Sequence, residues 1–422
     1  MKKVVIVGLG SAGLSSASHL SFYSKDFEVI VFEKNGDRIF HPCSVPAALA
    51  GEYRIDKLVS PSPRMRGVKI IKNEVLNIDV YKQKVYTKDG EEFFDYLIIS
   101  TGGRFKTYPN EKVFTINGYE DVISIENKIT TSKNVLIIGA GVLGMELASA
   151  LSVRKFEIEI LEMRDRILWG FLDEKLSEKF LDIVSSNKNI RFNFGIVADL
   201  SNINSDFAIS CVGFNPVVPN FIDLNISNST GIPVDETMRV ITSTSNGRLE
   251  NVFAAGDCVS PPKKLAYFPR LATTADVQGK VIAENILGKT STYSFEVVPP
   301  CILKSFGYCI GKVGLSSEDA KSLSIESKSF YFELPSDIIT GEKVFISIVL
   351  SEEGKILGLQ GLTRSAGEMR NLLNITWMIM KLSLLPEFIA KAEFCYQPEI
   401  CNFPDNIKSI FDFVKRRLNL KQ

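Results

Sequence analysis

The chain has 422 residues, of which 45% are hydrophobic and 23% charged, a size and composition typical of a globular protein with two or three domains. Its 49 basic and 49 acidic side chains balance, which gives no reason to expect a nucleic acid or an anionic membrane as a partner. The apolar stretches are too short to cross a bilayer, since Ile375–Leu385 is interrupted by Lys381 and Ser383, and we expect a cytoplasmic protein.

The first predicted element is a strand over Lys3–Val7, followed by glycines in G-x-G-x-x-G spacing at Gly8, Gly10 and Gly13. A helical pattern follows, and then a strand over Phe27–Phe32 that ends at Glu33. In such a unit the glycines allow a tight turn and close approach of phosphate to the helix N-terminus, and the acid binds ribose hydroxyls. This segment predicts a dinucleotide site.

Cys43 precedes the next predicted helix, which begins near Ser44 and Pro46 and ends at Gly51. A helix N-terminus favours thiolate over thiol, so we expect a lowered pKa and a nucleophile competent toward disulfides and polysulfides. Position 48, where a C-x-x-x-x-C pair would place a second cysteine, is Ala48. The spacing therefore predicts a single active cysteine without an intrachain partner.

The strand–turn–helix–strand pattern then recurs. Asn134–Ile138 is a predicted strand, Gly139, Gly141 and Gly144 form the turn, and the strand Glu157–Leu161 is closed by Glu162. Two complete copies on one chain are a far stronger signal than one glycine motif. We expect a second dinucleotide site.

Two further segments complete a family pattern. A short apolar strand ends in Gly256-Asp257, another ends in Thr101-Gly102, and a helix is predicted over Leu271–Gly288. With the two glycine turns, these segments resemble the pyridine nucleotide-disulfide oxidoreductases, the two-dinucleotide-binding flavoproteins. The resemblance covers nearly the whole chain and implies an α/β fold with FAD at the first glycine turn and NAD(P)H at the second.

The resemblance also implies an interleaved domain order. Residues 1–110 and 231–294 would form a discontinuous FAD-binding domain, 111–230 an NAD(P)H-binding domain, and 295–422 a C-terminal α+β domain that makes a homodimer. In the C-terminal region the pattern predicts three strands, Ser329–Glu333, Lys343–Ser351 and Lys355–Gln360. Two predicted helices follow, Ala366–Leu384 and Ile407–Leu418.

Family positions map onto this sequence residue by residue. The implied FAD contacts are Gly8, Gly10, Ser11, Ala12, Gly13, Glu33, Lys34, Thr101, Gly102, Gly256, Asp257, Leu271 and Ala272. The implied NAD(P)H contacts are Gly139, Gly141, Val142, Leu143, Gly144, Glu162 and Gly213. Glu162 favours NADH because a carboxylate repels the 2′-phosphate of NADPH, although Arg164 and Arg166 follow closely.

Cys43 resembles the active cysteine of the single-cysteine branch, which comprises coenzyme A disulfide reductases, NADH oxidases and NADH peroxidases. In coenzyme A disulfide reductases a C-terminal tyrosine reaches the other subunit's site, and Tyr396 matches it. We therefore expect Cys43 and Tyr396 to be catalytic and coenzyme A to be a candidate ligand. The basic pair that commonly follows the first helix in those reductases is absent here, which leaves Arg64, Arg66 and Lys69 as alternative contacts.

Three functions remain open on the sequence. The first is NAD(P)H-dependent reduction of coenzyme A disulfide or a related small disulfide or polysulfide through Cys43. The second is an NADH oxidase in which reduced flavin meets dioxygen, and the third is an NADH-binding flavoprotein redox sensor. The seven cysteines form no C-x-x-C pair and the chain has two histidines, so we expect neither a disulfide framework nor a metal site.

Overall fold

The computed structural model describes residues 1–419 apart from 202, 223, 225, 227–229, 243–246, 261–269, 338, 399 and 400. The first region alternates strands with short helices. Its elements are β1 (Lys2–Val7), α1 (Ser11–Tyr23), β2 (Phe27–Phe32), β3 (Arg38–Phe40), α2 (Val45–Leu49), β4 (Val59–Pro61), β5 (Val68–Ile71), β6 (Val75–Asp79), β7 (Lys84–Thr87), β8 (Gly90–Phe93), β9 (Tyr96–Ile99) and β10 (Gly103–Phe105).

The middle region supplies a second set. Its elements are β11 (Val113–Phe114), α3 (Tyr119–Thr131), β12 (Asn134–Ile138), α4 (Val142–Val153), β13 (Glu157–Glu162), α5 (Glu174–Ser185), β14 (Ile190–Phe194), β15 (Phe207–Ser210), β16 (Phe214–Pro216), β17 (Asn220–Phe221), β18 (Arg239–Ile241), β19 (Arg248–Ala254) and α6 (Ala272–Ile286).

The first large sheet has the strand order β18-β19-β9-β1-β2-β5. All neighbours from β19 to β5 are parallel, and β18 pairs antiparallel with β19 at the edge. β1 lies in the centre and is buried along Val4–Val7, as an apolar strand covered on both faces requires. The glycine turn after β1 therefore opens at the carboxyl edge of a parallel sheet, where such sheets bind ligands.

The second large sheet repeats this design with the parallel order β11-β15-β12-β13-β14. β12 is central, and its glycine turn opens at the carboxyl edge. The strand β17, inside the region predicted as 111–230, pairs instead with β6 of the first region. The chain has thus already returned to the first region, in the four-stranded sheet β17-β6-β7-β8, by residue 220.

The C-terminal region is a mixed layer of antiparallel strands and helices. Its elements are β20 (Cys301–Ser305), β21 (Tyr308–Gly314), α7 (Ser317–Ser322), β22 (Ser327–Pro335), β23 (Lys343–Ser351), β24 (Ile356–Thr363), α8 (Ala366–Lys381), α9 (Pro386–Ala390) and α10 (Asn406–Asn419). The strands form one antiparallel sheet in the order β20-β21-β24-β23-β22. The sequence pattern did not predict β20 and β21. α8 ends before the predicted Leu384 because Ser383 adopts a left-handed φ of 51°.

Two buried apolar clusters hold these layers together. One fills the first sheet, and the other joins the second sheet to inner strands of the C-terminal sheet through residues such as Leu303 and Phe345. Val45 and Leu49 of α2 belong to this second cluster although they come from the first region of the chain. This packing sets the segment around Cys43 against the second unit and confirms the predicted fold class of two Rossmann-like units with a C-terminal α+β region. In the part of the chain that is described, no helix is both long and apolar enough to cross a membrane.

Candidate functional site

The first glycine turn shows why each glycine is needed. Gly8 has a φ of +97°, and a Cβ there would lie 2.5 Å from the carbonyl oxygen of Ser100. A Cβ on Gly13 would collide with the carbonyl oxygen of Gly8, so helix α1 packs on the turn only without a side chain. The predicted roles of a tight turn and close helix packing are therefore visible in the backbone.

Glu33 fixes the turn from the neighbouring strand. The N–H of Leu9 donates to one carboxylate oxygen of Glu33 at 2.8 Å, and the N–H of Asn35 donates to the other at 3.0 Å. The carboxylate is half-buried at the carboxyl end of β2, with Lys34 exposed next to it. It is thus held in place at the position where the motif binds ribose hydroxyls.

The second glycine turn has the same geometry. Gly139 has a φ of +100°, and a Cβ on Gly144 would collide with the carbonyl oxygen of Gly139. Glu162 accepts from the N–H of Ala140 at 2.7 Å and from the N–H of Arg164 at 2.8 Å. The two units therefore share one arrangement down to the hydrogen bonds of the terminal acid.

Both turns present an open cradle to a phosphate group. A Cβ on Gly10 or on Gly141 would meet no protein atom within 4 Å. Each of these glycines is the N-cap of its helix and offers no side-chain cap, so backbone N–H groups at the helix start remain for a ligand. This is the environment that a dinucleotide pyrophosphate requires, and both sites fit such a group.

The two basic residues after Glu162 are engaged elsewhere. Arg166 forms ion pairs with Glu318 of α7 and, at 3.1 Å, with Asp165. The guanidinium of Arg164 lies 4.2 Å from the centre of the Trp169 ring. These contacts orient both cations toward protein partners.

The Gly256-Asp257 segment closes the first unit from the opposite side. Gly256 has a φ of +79° and donates its N–H to the Gln278 side chain of α6 at 2.8 Å. Arg270 donates to the backbone carbonyl of Asp257. Burial raises the pKa of the Asp257 carboxyl, and the nearby Arg270 partly offsets this. Asp257 is thus a partly shielded acceptor beside the first turn.

The remaining predicted contacts also lie at these edges. Ser11 and Ala12 start α1, Leu271 and Ala272 start α6, and Val142 and Leu143 start α4. Thr101 donates its hydroxyl to the carbonyl of Val217, and Gly102 follows with a φ of +70°. Gly213, with a φ of +74°, follows β15 at the carboxyl edge of the second sheet. Their assignment to particular ligand atoms stays a prediction.

Cys43 lies in a single 3-10 turn, Pro42–Ser44, immediately before α2. The residue is exposed, yet protein around its sulfur limits hydration, and this burial raises the pKa of the thiol. The carboxylates of Glu146 and Asp257 raise it further. The expectation of a lowered pKa was wrong, because burial of the sulfur and the charges of two acids outweigh the weak dipole of a five-residue helix.

Glu146 was not predicted as a site residue. It projects from α4 of the second unit, and burial raises its carboxyl pKa to about 7, while the backbone N–H of Lys304 partly opposes that shift. Its electrostatic influence reaches Cys43. The available signal was a lone acid in the otherwise apolar stretch Val142–Leu151.

Tyr396 lies in the irregular segment between α9 and α10. Its side chain is 47% exposed, and its ring packs on Phe403 with 5.3 Å between centroids. Glu146 and Asp257 influence Cys43 electrostatically, whereas the described contact of Tyr396 is within its own segment. Its predicted role at the site of a second subunit stays a prediction.

Comparisons with known proteins agree with this arrangement. The chain is 27% identical to an NADH oxidase of Methanocaldococcus jannaschii, with 94% of this chain and 95% of that protein covered. It is 26% identical to a coenzyme A disulfide reductase of Staphylococcus epidermidis, covering 77% and 80% of the two chains. Its fold resembles that of an NAD-dependent persulfide reductase from A. fulgidus, with a TM-score of 0.84, 21% identity, and coverage of 99% of this chain and 84% of that one.

A family model described as pyridine nucleotide-disulphide oxidoreductase matches residues 2–279. This range contains both glycine turns, Cys43, Glu146 and the Gly256-Asp257 segment. The chain therefore belongs to the pyridine nucleotide-disulphide oxidoreductase family, and this membership implies FAD and NAD(P)H as its cofactors.

Proposed function

We propose that this protein uses NADH to reduce coenzyme A disulfide, or a related small disulfide or polysulfide, through the single cysteine Cys43. The observation that carries the proposal is the position of Cys43. Its segment comes from the first unit, packs its helix α2 into the core of the second, and lies within the electrostatic influence of Asp257 from one unit and Glu146 from the other. A sulfur at this junction would accept electrons that pass from the nicotinamide dinucleotide through the flavin.

The two units would hold different cofactors. The first turn, with Glu33 and Asp257, would bind FAD, and the second turn, with Glu162, would bind the nicotinamide dinucleotide. Residues 1–110 with 231–294, 111–230 and 295–422 would form the corresponding domains and a C-terminal interface domain. NADH is favoured over NADPH because Glu162 faces the ribose position while Arg166 is paired with Glu318.

When bound, the two cofactors supply a two-electron path from the nicotinamide to the sulfur site. The Cys43 thiolate attacks one sulfur of the substrate disulfide, forms a mixed disulfide and releases one thiolate, which takes up a proton to become the first thiol. Two electrons and one proton then cleave the mixed disulfide, which releases the second thiol and regenerates the Cys43 thiolate. The products are two thiols from one disulfide.

Glu146 would donate and accept protons in this cycle. Its pKa of about 7 lets the carboxyl be both proton donor and acceptor near neutral pH. In its neutral form it removes one negative charge from the surroundings of Cys43 and so eases formation of the thiolate. We assign Glu146 as a positioning residue for the charge state of Cys43.

A preference for coenzyme A disulfide as the substrate is supported by a cavity in the first region. Arg64 and Arg66 line a space of about 910 Å³ together with the aromatic side chains of Phe22 and Tyr23. Guanidinium groups bind phosphates and aromatic rings stack on adenine, so the lining suits an adenosine phosphate. A comparison of the KM for coenzyme A disulfide with the KM for cystamine, a small disulfide that lacks adenosine, tests this preference.

The test of the proposed mechanism is Cys43→Ala. NADH-dependent reduction of coenzyme A disulfide should fall at least about a hundredfold, because covalent catalysis at sulfur is lost. Ser44→Ala is the matched control, since the Ser44 side chain makes no capping hydrogen bond in the same turn, and it should keep the activity. Full activity in Cys43→Ala with bound FAD would disprove the mechanism.

Dioxygen reduction is a second candidate, favoured by the 27% identity to an NADH oxidase over 94% of this chain. In this function the reduced cofactor would pass electrons to dioxygen and form peroxide without Cys43. Peroxide formation with NADH that is equal in Cys43→Ala and the unmutated protein would support it. Water as the sole product would contradict it.

A homodimer formed through the C-terminal region is also proposed. Large apolar side chains are exposed there, namely Leu382, Leu385, Phe388 and Phe403, and exposed apolar groups of this size are typical of an interface. Tyr396 lies next to Phe403 and would reach the partner's site across this face. Sedimentation equilibrium should give twice the chain mass, and Phe388→Glu should shift the protein toward the monomer.

A further inference from the structure

The segment that carries Tyr396 also carries two cysteines. Cys395 directly precedes Tyr396 and is exposed, and Cys401 follows five residues after Tyr396 and is partly exposed. The backbone N–H of Cys401 donates to the carbonyl of Gln397 at 3.1 Å. The chain therefore folds back and brings the two cysteines toward each other.

The contacts of the Cys401 thiol with backbone carbonyl oxygens bound its distance from Cys395. The Cys401 thiol donates to the carbonyl oxygen of Cys395 at 3.7 Å and to that of Gln397 at 3.6 Å. A carbonyl oxygen lies about 2.4 Å from the Cα of its own residue, so the Cys401 sulfur lies within roughly 6 Å of the Cys395 Cα. Disulfides join residues whose Cα atoms are about 4.4–6.8 Å apart, and closing this bond calls for a rearrangement of the segment between the two cysteines as well as rotation of their side chains.

Other cysteines of the chain lie in different surroundings. Cys258 is fully buried and donates to the carbonyls of Ile99 and Ala255. Burial raises the pKa of Cys258 to about 11 and that of Cys211 to about 12. Thiols of that kind are inert packing groups. Cys395 and Cys401 combine proximity with access from solvent.

We propose that Cys395 and Cys401 are a second redox-active dithiol, which forms an intramolecular disulfide by exchange with a small-molecule disulfide. One cysteine, as thiolate, attacks the substrate disulfide, becomes a mixed disulfide and releases the first small thiolate. The other cysteine, as thiolate, attacks the protein sulfur of that mixed disulfide, forms the Cys395–Cys401 bond and releases the second. The two cysteines lose two electrons and two protons, and the small disulfide gains them as two thiols.

This chemistry differs from that proposed for Cys43 in two ways. It needs neither dinucleotide, because the dithiol itself is the reductant. It also forms a covalent ring that contains Tyr396, and closing the ring restricts the backbone of the segment that presents this tyrosine. The redox state of the pair would thus set the freedom of Tyr396.

The experiment uses full-length Cys43→Ser protein without NADH, incubated with oxidised glutathione. We expect a loss of two titratable thiols, and a 395–401 peptide that is two hydrogens lighter, with no glutathione attached at the end point. Cys395→Ser and Cys401→Ser in the same background should each trap one glutathione on the remaining cysteine. Cys309→Ser, which alters a buried thiol of β21, should behave like its parent.

Two results would overturn the proposal. One is stable glutathione adducts on Cys395 and Cys401 when both are present. The other is no loss of these thiols in the folded protein under conditions that oxidise them after denaturation. Because Cys43 is absent and no NADH is added, either result leaves the function proposed for Cys43 unaffected, and failure of Cys43 chemistry leaves this test intact.

Discussion

The two β–α–β units share a backbone design but put the same helix position to different uses. Seven residues beyond the first glycine, the first unit has Ser15 and the second has Glu146. Ser15 is buried and donates to the carbonyl of Asp276 at 2.8 Å, so α1 is closed over by α6. Glu146 instead acts electrostatically on Cys43, while α4 packs against α2.

This difference separates the scaffold from the chemistry. The glycines and the terminal acids fix the backbone conformation of each turn, and their geometry is the same in both units. The residue at the equivalent helix position makes the difference. Ser15 packs α1 against α6, whereas Glu146 of α4 contributes to the electrostatic surroundings of Cys43. Three pairs of variants sharpen the comparison.

The largest expected effect comes from Gly10→Ala and Gly141→Ala. Both glycines have ordinary extended backbone angles and open space around a new Cβ, so the fold should tolerate alanine. The methyl group would occupy the space that a phosphate needs, at a cost of about 1–3 kcal/mol, or roughly 5- to 150-fold in affinity. Gly10→Ala should be purified with depleted flavin, whereas Gly141→Ala should keep flavin and show a raised KM for NADH.

The flavin absorbance of each purified variant and its NADH titration measure these effects, with circular dichroism as the control for folding. Loss of flavin from Gly141→Ala but not from Gly10→Ala would reverse the assignment of the two sites.

A smaller effect is expected from Glu146→Gln on the reactivity of Cys43. The ionised Glu146 carboxylate raises the pKa of the thiol, and Glu146 loses its own proton near pH 7. The variant should therefore alkylate faster at Cys43 with iodoacetamide above pH 7, by less than about tenfold, since one pKa unit is tenfold in thiolate. Well below pH 7 Glu146 is protonated in the unmutated protein, and the two rates should converge.

Mass spectrometry of the Cys43 peptide gives the alkylation rate at each pH. Ser15→Ala is the matched control, because it alters the equivalent position of the first unit, and it should leave the pH profile unchanged. A profile of Glu146→Gln that equals the unmutated one above pH 7 would remove Glu146 from the sulfur site.

The smallest effect concerns the choice of coenzyme. Glu318→Gln removes one of the two carboxylates that pair with Arg166 and leaves this cation with Asp165 alone. NADPH use, measured as kcat/KM relative to NADH, should rise by a few-fold, since a partly exposed ion pair contributes about 1 kcal/mol. Glu342→Gln, which pairs with Arg364 at 3.7 Å in the C-terminal region, is the control and should leave the ratio unchanged. An unaltered ratio in Glu318→Gln would show that Arg166 does not reach the ribose position.

The sequence predicted the glycine turns and the positions of Glu33 and Glu162 at the ends of their strands well because each depends on local spacing. A turn between a strand and a helix is determined within a few residues, and its acid follows at the end of the next strand. The strands β20 and β21 were missed, since neither has a clear alternating pattern. The surroundings of Cys43 were missed for another reason.

Cys43 illustrates the limit of local reasoning. The predicted helix start is correct to within two residues, but the thiol lies in a 3-10 turn and its charge state depends on distant acids. Glu146 and Asp257 come from other elements and meet the sulfur only in the folded chain. The sign of the pKa shift was therefore set by tertiary packing, which the helix-dipole argument does not include.

The most direct test is an anaerobic titration of the purified protein with NADH and with dithionite, followed by the flavin spectrum, for the unmutated protein and Cys43→Ser. The proposed mechanism predicts that the unmutated protein, once coenzyme A disulfide has converted Cys43 to its mixed disulfide, takes up two electrons per flavin beyond the two that flavin itself accepts. It also predicts a long-wavelength thiolate-to-flavin band that Cys43→Ser lacks. If both proteins stop at the two electrons of the flavin and neither shows the band, Cys43 is not the redox partner and the mechanism is contradicted.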